Sequence, residues 1–300
     1  MKLTTLSSRI SRSLVMFVAA GMAGIASSPA FAGWDLLTVS DTNTLMRVDL
    51  NSAPNFSATT IGVTQDVSGT VRRIRGLAYA GSTLYGMTRE GDFLEVNPST
   101  GETTFRHSVA STGTQFWSDL AYDASNNAMY TVNAFGDQSL VRIDLGTMSH
   151  TVQGTTELEG GGFNGQMLGL EFMNGTLLAS NRSNQNIVEM DPTDASFAFT
   201  WGSSTSGVTN NQQIAVHPDT GELWGIHDHF SSTNNAALSS FDAAFRSTEI
   251  GMLPFGIVET TGTGNDTYGW GGIAFAQTVP SPSSASFLVL GALTFFRRRR

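Results

Sequence analysis

Three short apolar phrases recur in a fixed order along this chain, and the repeat constrains the fold more than any other feature. The second phrase recurs at steps of 48, 45, 48 and 46 residues, beginning at Leu36, Leu84, Met129, Leu177 and Leu223. The copies of the first phrase are Gly76-Leu-Ala-Tyr79, Asp119-Leu-Ala-Tyr122, Gly169-Leu-Glu-Phe172, Gln213-Ile-Ala-Val216 and Gly272-Ile-Ala-Phe275. The copies of the third are Leu45 to Asp49, Phe93 to Asn97, Leu140 to Asp144, Ile187 to Asp191 and Leu238 to Asp242.

Each phrase has the length and the aliphatic, β-branched and aromatic composition of a short β-strand. Turn residues separate the first phrase from the second, where a tight hairpin is needed: Gly81, Asn127, Asn174-Gly175 and Asp219 to Gly221. A weaker fourth strand follows the third phrase, as at Thr103 to His107 and Ser149 to Val152. Four short antiparallel strands in a repeat of this length indicate one blade of a β-propeller.

The phasing of the two ends indicates how many blades there are. The second phrase at Leu36 has no first phrase before it, and the first phrase at Ile273 has no second phrase after it. If these strands share a sheet, the five sets make five complete blades and no edge is left exposed. We therefore predict an all-β, five-bladed propeller closed by pairing of the N- and C-terminal strands. Long connections at residues 151–166 and 245–270 leave a sixth blade as the alternative.

The sequence pattern of the repeat is Leu-Tyr-Gly followed by Asp or Asn, Pro and Gly. It resembles the pattern of NHL-like and strictosidine-synthase-like propellers. The resemblance is shared by many such proteins. It implies the propeller architecture and no particular activity.

The N-terminus has the three parts of a secretory signal peptide. Basic residues precede an apolar core from Leu14 to Ile25, and Ala30 and Ala32 form a small-x-small cleavage site before Gly33. We therefore expect residues 1–32 to be removed on export and the propeller domain to span residues 33–278.

The C-terminus also has three parts: Val279-Pro280-Ser281-Pro282, an apolar stretch from Ala285 to Phe296, and Arg297, Arg298, Arg299 and Arg300. The apolar stretch is shorter than the roughly 20 residues that a membrane-spanning helix needs, and the arginines favour the cytoplasmic face. The tail resembles the PEP-CTERM sorting signal, with Ser281 where that family usually has glutamate. The resemblance implies a short membrane-engaging helix at residues 279–300, removed by an exosortase after translocation. A degenerate membrane anchor is the alternative.

The charge of the exported part excludes some partners. Residues 33–278 hold all 25 acidic residues of the chain and nine arginines, which gives a net charge of −16, and they contain no lysine. Such a surface repels nucleic acid and anionic lipid headgroups. No cysteine is present, so stability must come from burial of a core rather than from disulfides.

Polar residues stand just before or within the inner strands, where they would line the axial channel: Arg75, Asp119, Glu171, Gln212 and Gly272. In lactonase-like propellers, acidic and amide residues at such positions hold one calcium ion. Hard cations such as calcium are coordinated by several oxygen ligands. Asp119 and Glu171 are therefore the candidate calcium ligands. The alternative is that these side chains satisfy one another around a wet channel.

Histidines cluster in one repeat, where His227 and His229 would point to one face of a strand. Two imidazoles can coordinate a metal ion, although the sequence shows no third ligand at a recognisable spacing. His227 also takes the place of the small polar Ser40, Thr88, Asn133 and Asn181 in the other repeats. The pair is therefore a candidate metal or acid–base site, and a structural slot is the alternative.

The sequence supports two function classes. The first is an exported, exosortase-processed propeller at the cell surface or in the extracellular matrix, with a non-catalytic role and no cofactor. The sorting resemblance implies a setting of exopolysaccharide production, with the export machinery, an exosortase, and polysaccharide or envelope proteins as partners. The second is a secreted calcium-dependent lactonase, lyase or hydrolase that uses the axial channel.

Overall fold

A computed structural model describes residues 33–40, 42–109, 116–134, 138–156, 167–181, 186–203, 211–228, 236–254 and 271–277. All of them belong to one compact unit of the chain. The signal peptide, the sorting motif and His229 lie outside the described residues, so those predictions stay predictions. Within the described residues, no helix is long and apolar enough to span a membrane.

The described chain forms five four-stranded antiparallel sheets, which are the five blades of a β-propeller. Blade 1 contains β1 (Trp34–Val39), β2 (Thr44–Asp49) and β3 (Ser57–Val63), with a short 3-10 helix at Leu50–Ser52. Blade 2 contains β4 (Ile74–Ala80), β5 (Thr83–Thr88), β6 (Asp92–Val96) and β7 (Thr103–Ser108). Blade 3 contains β8 (Ala121–Asp123), β9 (Ala128–Val132), β10 (Ser139–Asp144) and β11 (Ser149–Thr155).

Blade 4 contains β12 (Met167–Met173), β13 (Thr176–Asn181), β14 (Asn186–Met190) and β15 (Phe197–Ser203). Blade 5 contains β16 (Asn211–Val216), β17 (Leu223–Asp228), β18 (Ala236–Phe241) and β19 (Ser247–Met252). The fourth strand of blade 1 is β20 (Ile273–Gln277), which pairs antiparallel with β1 so that Leu37 faces Ala274.

The first, second and third phrases of the sequence are the inner, second and third strands of the blades. The predicted fourth strands are present as β7 and β11. Hairpin turns lie where the sequence placed them, with positive φ at Gly81, Asn127, Asn174, Gly175 and Gly221. One inner strand differs: β8 begins at Ala121, two residues later than the repeat predicts. Asp119 precedes this strand, and its backbone lies directly against Gly76 of the preceding blade.

The hydrophobic core is divided among the boundaries between neighbouring blades. One buried cluster, for example, joins Leu37 and Leu45 of blade 1 to Ile74, Leu84 and Leu94 of blade 2. Four further clusters join blades 2 and 3, 3 and 4, 4 and 5, and 5 and 1. Both faces of a blade are therefore buried, which explains why the second phrase of each repeat is apolar at nearly every position.

The five inner strands form a closed ring at the centre of the fold. Each contacts the next, from β4 through β8, β12, β16 and β20 and back to β4. The side chains that these strands turn toward the ring axis therefore lie close together, although they are far apart in sequence.

Candidate functional site

The inner strands turn two layers of small residues toward the next strand of the ring. The first and third positions of each inner phrase point to the same side, because side chains alternate along an extended strand. The first position is Gly76, Asp119, Gly169, Gln213 and Gly272, and the third is Ala78, Ala121, Glu171, Ala215 and Ala274. Eight of these ten positions are therefore glycine, alanine or a short acid, and two carry the longer Gln213 and Glu171.

Backbone crowding explains the glycines. A Cβ added to Gly76 would lie 2.6 Å from the Cα of Asp119, and one added to Gly272 would lie 2.1 Å from the backbone nitrogen of Leu77. Any side chain at these two positions would clash with the neighbouring strand. Asp119, Gln213 and Glu171 are the polar exceptions. They occupy positions at the centre of the ring where the other repeats have glycine or alanine.

Asp119 connects three blades through its carboxylate. Its Oδ2 atom accepts a hydrogen bond of 3.0 Å from the backbone nitrogen of Leu170 on β12, and the backbone N–H groups of Leu120 and of Ile214 on β16 also favour the charged carboxylate. The residue is 1% exposed. Burial raises the pKa of Asp119 well above its usual value, and the charge of Glu171 raises it further, against the effect of the three amides.

Gln213 and Ser118 extend this polar layer. The Nε2 atom of Gln213 donates to the backbone oxygen of Ser118 at 3.5 Å, and the Ser118 hydroxyl donates to the backbone oxygen of Met167 at 3.2 Å. The Oε1 atom of Gln213 and the Oδ1 atom of Asp119 are buried and have no hydrogen-bond partner among the described residues. Gln213, the first residue of its inner phrase, thus supplies an amide that reaches a neighbouring blade.

Glu171 borders a small axial cavity of about 150 Å³. Residues from all five inner strands line it together with Pro218, and the polar groups among them belong to Tyr79, Tyr122 and Glu171. The carboxylate accepts a hydrogen bond from the backbone nitrogen of Phe172 at 3.0 Å and another from the backbone of Val216. The side chain is partly open to the cavity, yet the surrounding protein raises the pKa of Glu171 to about 8, mainly by burial.

The consequence of this pKa is a carboxyl group that is largely protonated at neutral pH. A protonated carboxyl both donates and accepts hydrogen bonds. Because four other repeats have alanine at this position, the group is a departure from the repeat rather than a part of it. The signal was present in the sequence, where Gly169-Leu-Glu-Phe172 stands among four phrases with alanine in third place.

The candidate metal ligands are not gathered in one place. Asp119 and Glu171 lie at the axis, whereas His227 lies on β17, the second strand of blade 5, where it is 2% exposed. The Nε2 atom of His227 lies 3.7 Å from a carboxylate oxygen of Glu249 on β19. Among the described residues, no group of three or more His, Asp or Glu side chains could hold a metal ion. The calcium and His227–His229 sites stay predictions.

The described residues include a basic cluster, Arg72-Arg73-Ile74-Arg75, whose side chains form contacts within the protein. Arg72 donates to Asp92 at 2.9 Å and to Asp66 at 2.8 Å. The guanidinium groups of Arg75 and Arg89 lie 5.8 and 4.8 Å from the ring centre of Phe116. These cations therefore have partners in the fold, and they lie on blade 2 rather than at the axial cavity.

Comparison with known proteins supports the fold. No family model matches the chain, and no curated protein matches it in sequence. Among solved structures it is similar to a chain in the crystal structure of a nidogen/laminin complex, at 14% identity and a TM-score of 0.51, covering 81% of this chain and 98% of that chain. It is also similar to a structural genomics protein of unknown function from Bacteroides thetaiotaomicron, at 15% identity and a TM-score of 0.50, covering 73% of this chain and 58% of that chain. At these identities the similarity concerns the propeller fold alone.

Proposed function

We propose that this chain is an exported β-propeller that binds a neutral polysaccharide at the cell surface or in the extracellular matrix without transforming it. The observation that carries the proposal is Glu171, a protonated carboxyl at an axial cavity where four repeats have alanine. A propeller that needed only a packed axis would need no such group.

The chemistry of the cavity suits a sugar. Tyr79, Tyr122 and Phe275 line it together with Glu171, and aromatic faces with a few directed polar groups are typical of sites for neutral ligands. Its volume of about 150 Å³ equals about five water molecules at roughly 30 Å³ each. One sugar substituent would enter the cavity while the polymer lies across its mouth. The net charge of −16 disfavours a polyanionic polymer.

The two ends of the sequence support the location. A signal peptide would deliver the chain across the inner membrane, and the PEP-CTERM-like tail would pass it to an exosortase. Pairing of β20 with β1 would close the ring through a strand ladder and leave β1 without a free edge, which suits a protein that works outside the cell without disulfides.

Glycan binding tests the ligand. We expect the protein to be retained by a neutral polysaccharide extracted from its own cells. Retention should weaken at least tenfold in Glu171→Ala, persist in Glu171→Gln, and be unchanged in the control Glu189→Gln on β14. Equal retention of the wild type and Glu171→Ala would contradict an axial binding site.

The intact mass of the protein recovered from its own cells tests the processing. Loss of the first 32 residues and of the tail after residue 278 would support export and sorting. A mass that retains Arg297 to Arg300 in the membrane fraction would contradict exosortase processing and favour a tethered propeller.

The pKa of Glu171 also favours a second candidate, a propeller hydrolase or lactonase. A carboxyl with a pKa near the working pH is suited to general acid–base catalysis. The enzyme hypothesis predicts that Glu171→Gln keeps ligand affinity and loses turnover of a lactone or glycoside. Absence of turnover in the wild type with retained glycan binding would leave the binding function.

A further inference from the structure

The outer strands of three blades approach the next blade so closely that only glycine fits. In each, a glycine lies beside a bulge and pairs with the first residue of the third phrase, as Gly62 pairs with Leu45. A Cβ on Gly62 would lie 2.0 Å from the backbone oxygen of Thr100 in blade 2. The other two approaches, at 1.9 and 2.0 Å, are Gly154 to the oxygen of Asp194 in blade 4 and Gly251 to the oxygen of Pro54 in blade 1.

Blade 2 has a histidine at the equivalent position. His107 on β7 pairs with Phe93, the first residue of the third phrase, beside the same bulge. Instead of a backbone contact, its Nε2 atom lies 2.6 Å from the Nδ1 atom of His150 in blade 3. The two ring centres are 4.9 Å apart, and the rings are tilted by 52°.

His150 also departs from the repeat. It lies on β11 opposite Ile143, and the equivalent position holds Ala58, Thr103 and Ser247 in blades 1, 2 and 5 and Phe197 in blade 4. Imidazoles thus stand at two positions where most blades have small residues, in different blades and about 43 positions apart, and the two rings meet. We call this pair, His107 and His150, the seam histidines.

We propose that the seam histidines form a binding site for a borderline divalent cation, with Zn²⁺ as the first candidate. Solvent would complete the coordination shell. Imidazole nitrogen suits Zn²⁺, Ni²⁺ and Cu²⁺. Two nitrogens at about 2.0–2.1 Å from a tetrahedral zinc ion are about 3.3 Å apart. The two rings must therefore separate by roughly 0.7 Å and rotate so that both lone pairs face the ion.

The position of the pair makes this movement feasible. Both histidines lie on the outermost strands of their blades and are partly exposed, so solvent can supply the remaining ligands. A bound ion would link the outer edges of blades 2 and 3, where three other boundaries have backbone contacts.

The competing interpretation is a hydrogen-bonded pair that only fills the space between two blades. The two interpretations differ in what zinc does to the protein. A ligand that binds only the native state raises the unfolding temperature, and the stabilisation grows with the logarithm of its concentration over Kd. A filling pair would give no such rise.

The experiment is a zinc titration of the purified protein, followed by calorimetry and by thermal unfolding. We expect one zinc ion per chain and a rise in the unfolding temperature. The affinity should fall at least tenfold in His107→Gly, which restores the residue of three other blades, and in His150→Ser. The control Gln153→Ala, on the same strand as His150, should bind as the wild type does. X-ray absorption of the zinc complex should show two imidazoles.

Two outcomes would overturn the proposal. One is a wild type that shows no saturable binding up to about a millimolar zinc. The other is unchanged zinc affinity in a folded variant that carries both His107→Gly and His150→Ser. That result would assign the ion to His227 and His229 or to carboxylates. Circular dichroism of each variant establishes that it is folded. Neither outcome bears on Glu171, so this test and that of the axial site fail independently.

Discussion

The Oδ2 atom of Asp119, which precedes the inner strand of blade 3, accepts a hydrogen bond from the backbone nitrogen of Leu170, in the inner strand of blade 4, at 3.0 Å. The backbone N–H of Ile214 in blade 5 also favours the charged form of this carboxylate. A single side chain thus holds together inner phrases that lie about 50 and 95 residues later in the sequence. This connection is polar and lies at the centre of the fold, whereas the buried clusters between neighbouring blades are apolar.

Replacing Asp119 with alanine should destabilise the protein by about 1–3 kcal/mol, because buried amides such as that of Leu170 lose their acceptor. Asp119→Asn keeps an oxygen acceptor and removes a buried acid, so its loss should be clearly smaller. Urea unfolding of the two variants checks the difference. An alanine variant as stable as the wild type would mean that water replaces the carboxylate at no cost.

Stability should fall as the pH rises from about 4.5 to about 8, because of Glu171. Its pKa is about 8 in the folded protein against 4.5 as the usual value, so the folded state holds a proton in this window that the unfolded state has released. The free energy of unfolding then decreases with pH, by at most about 1.4 kcal/mol for each pH unit. The raised pKa of Asp119 acts in the same direction.

Glu171→Gln should flatten this pH dependence, because glutamine has no proton to lose. Chemical unfolding at pH 5, 6, 7 and 8 measures the slope for both proteins. Glu171→Ala, which restores the repeat, should flatten it equally and separate the role of the charge from that of the side chain's volume. An unchanged slope in both variants would contradict the assignment to Glu171.

Gly62→Ala should destabilise the contact between blades 1 and 2, since the new Cβ would lie 2.0 Å from a backbone oxygen. Overpacking of this kind costs about 1–3 kcal/mol. Gly146→Ala is the matched control, because its Cβ would meet only a side-chain oxygen of Asp144 at 3.3 Å. Thermal unfolding should show a clear loss for the first variant and little change for the second.

Ala274→Pro should weaken the pairing of β20 with β1, because proline cannot donate to a strand ladder and Ala274 lies opposite Leu37 in its middle. The exposed edge of β1 would then favour association between molecules. Gln277→Pro, at the exposed end of the same strand, should be much milder. Unfolding temperature and size-exclusion profiles compare the two; equal behaviour would mean that this pairing contributes little.

The sequence contained enough information for the five blades, because each phrase of the repeat corresponds to one strand position. Leu36 and Ile273, which lacked a partner phrase in their own repeats, lie in one sheet. The start of β8 was not predictable from the repeat, since Asp119 matches the pattern of an inner strand. Its displacement follows from contact between the backbones of Asp119 and Gly76, which only the three-dimensional arrangement reveals.

The candidate site was predicted in part. Asp119 and Glu171 were recognised as axial, but their roles were not, because pKa shifts follow from burial rather than from residue type. Gln213 was recognised as the first residue of its inner phrase, but its contact with the Ser118 backbone was not predicted. The seam histidines were missed altogether. Their positions belong to the weak fourth strands, whose bulges shift the register and hide the equivalence of His107 with Gly62, Gly154 and Gly251.

Those three glycines also bear on how a repeat protein can change. Where glycine of one blade touches a carbonyl oxygen of the next, every substitution must move a neighbouring turn, so these boundaries can acquire no new side-chain chemistry at low cost. The boundary between blades 2 and 3 differs, because His107 and His150 meet there through their side chains. Substitutions that add function between blades are therefore tolerated at some boundaries of the ring and not at others. A designer who wishes to install a binding site should start at the boundary between blades 2 and 3.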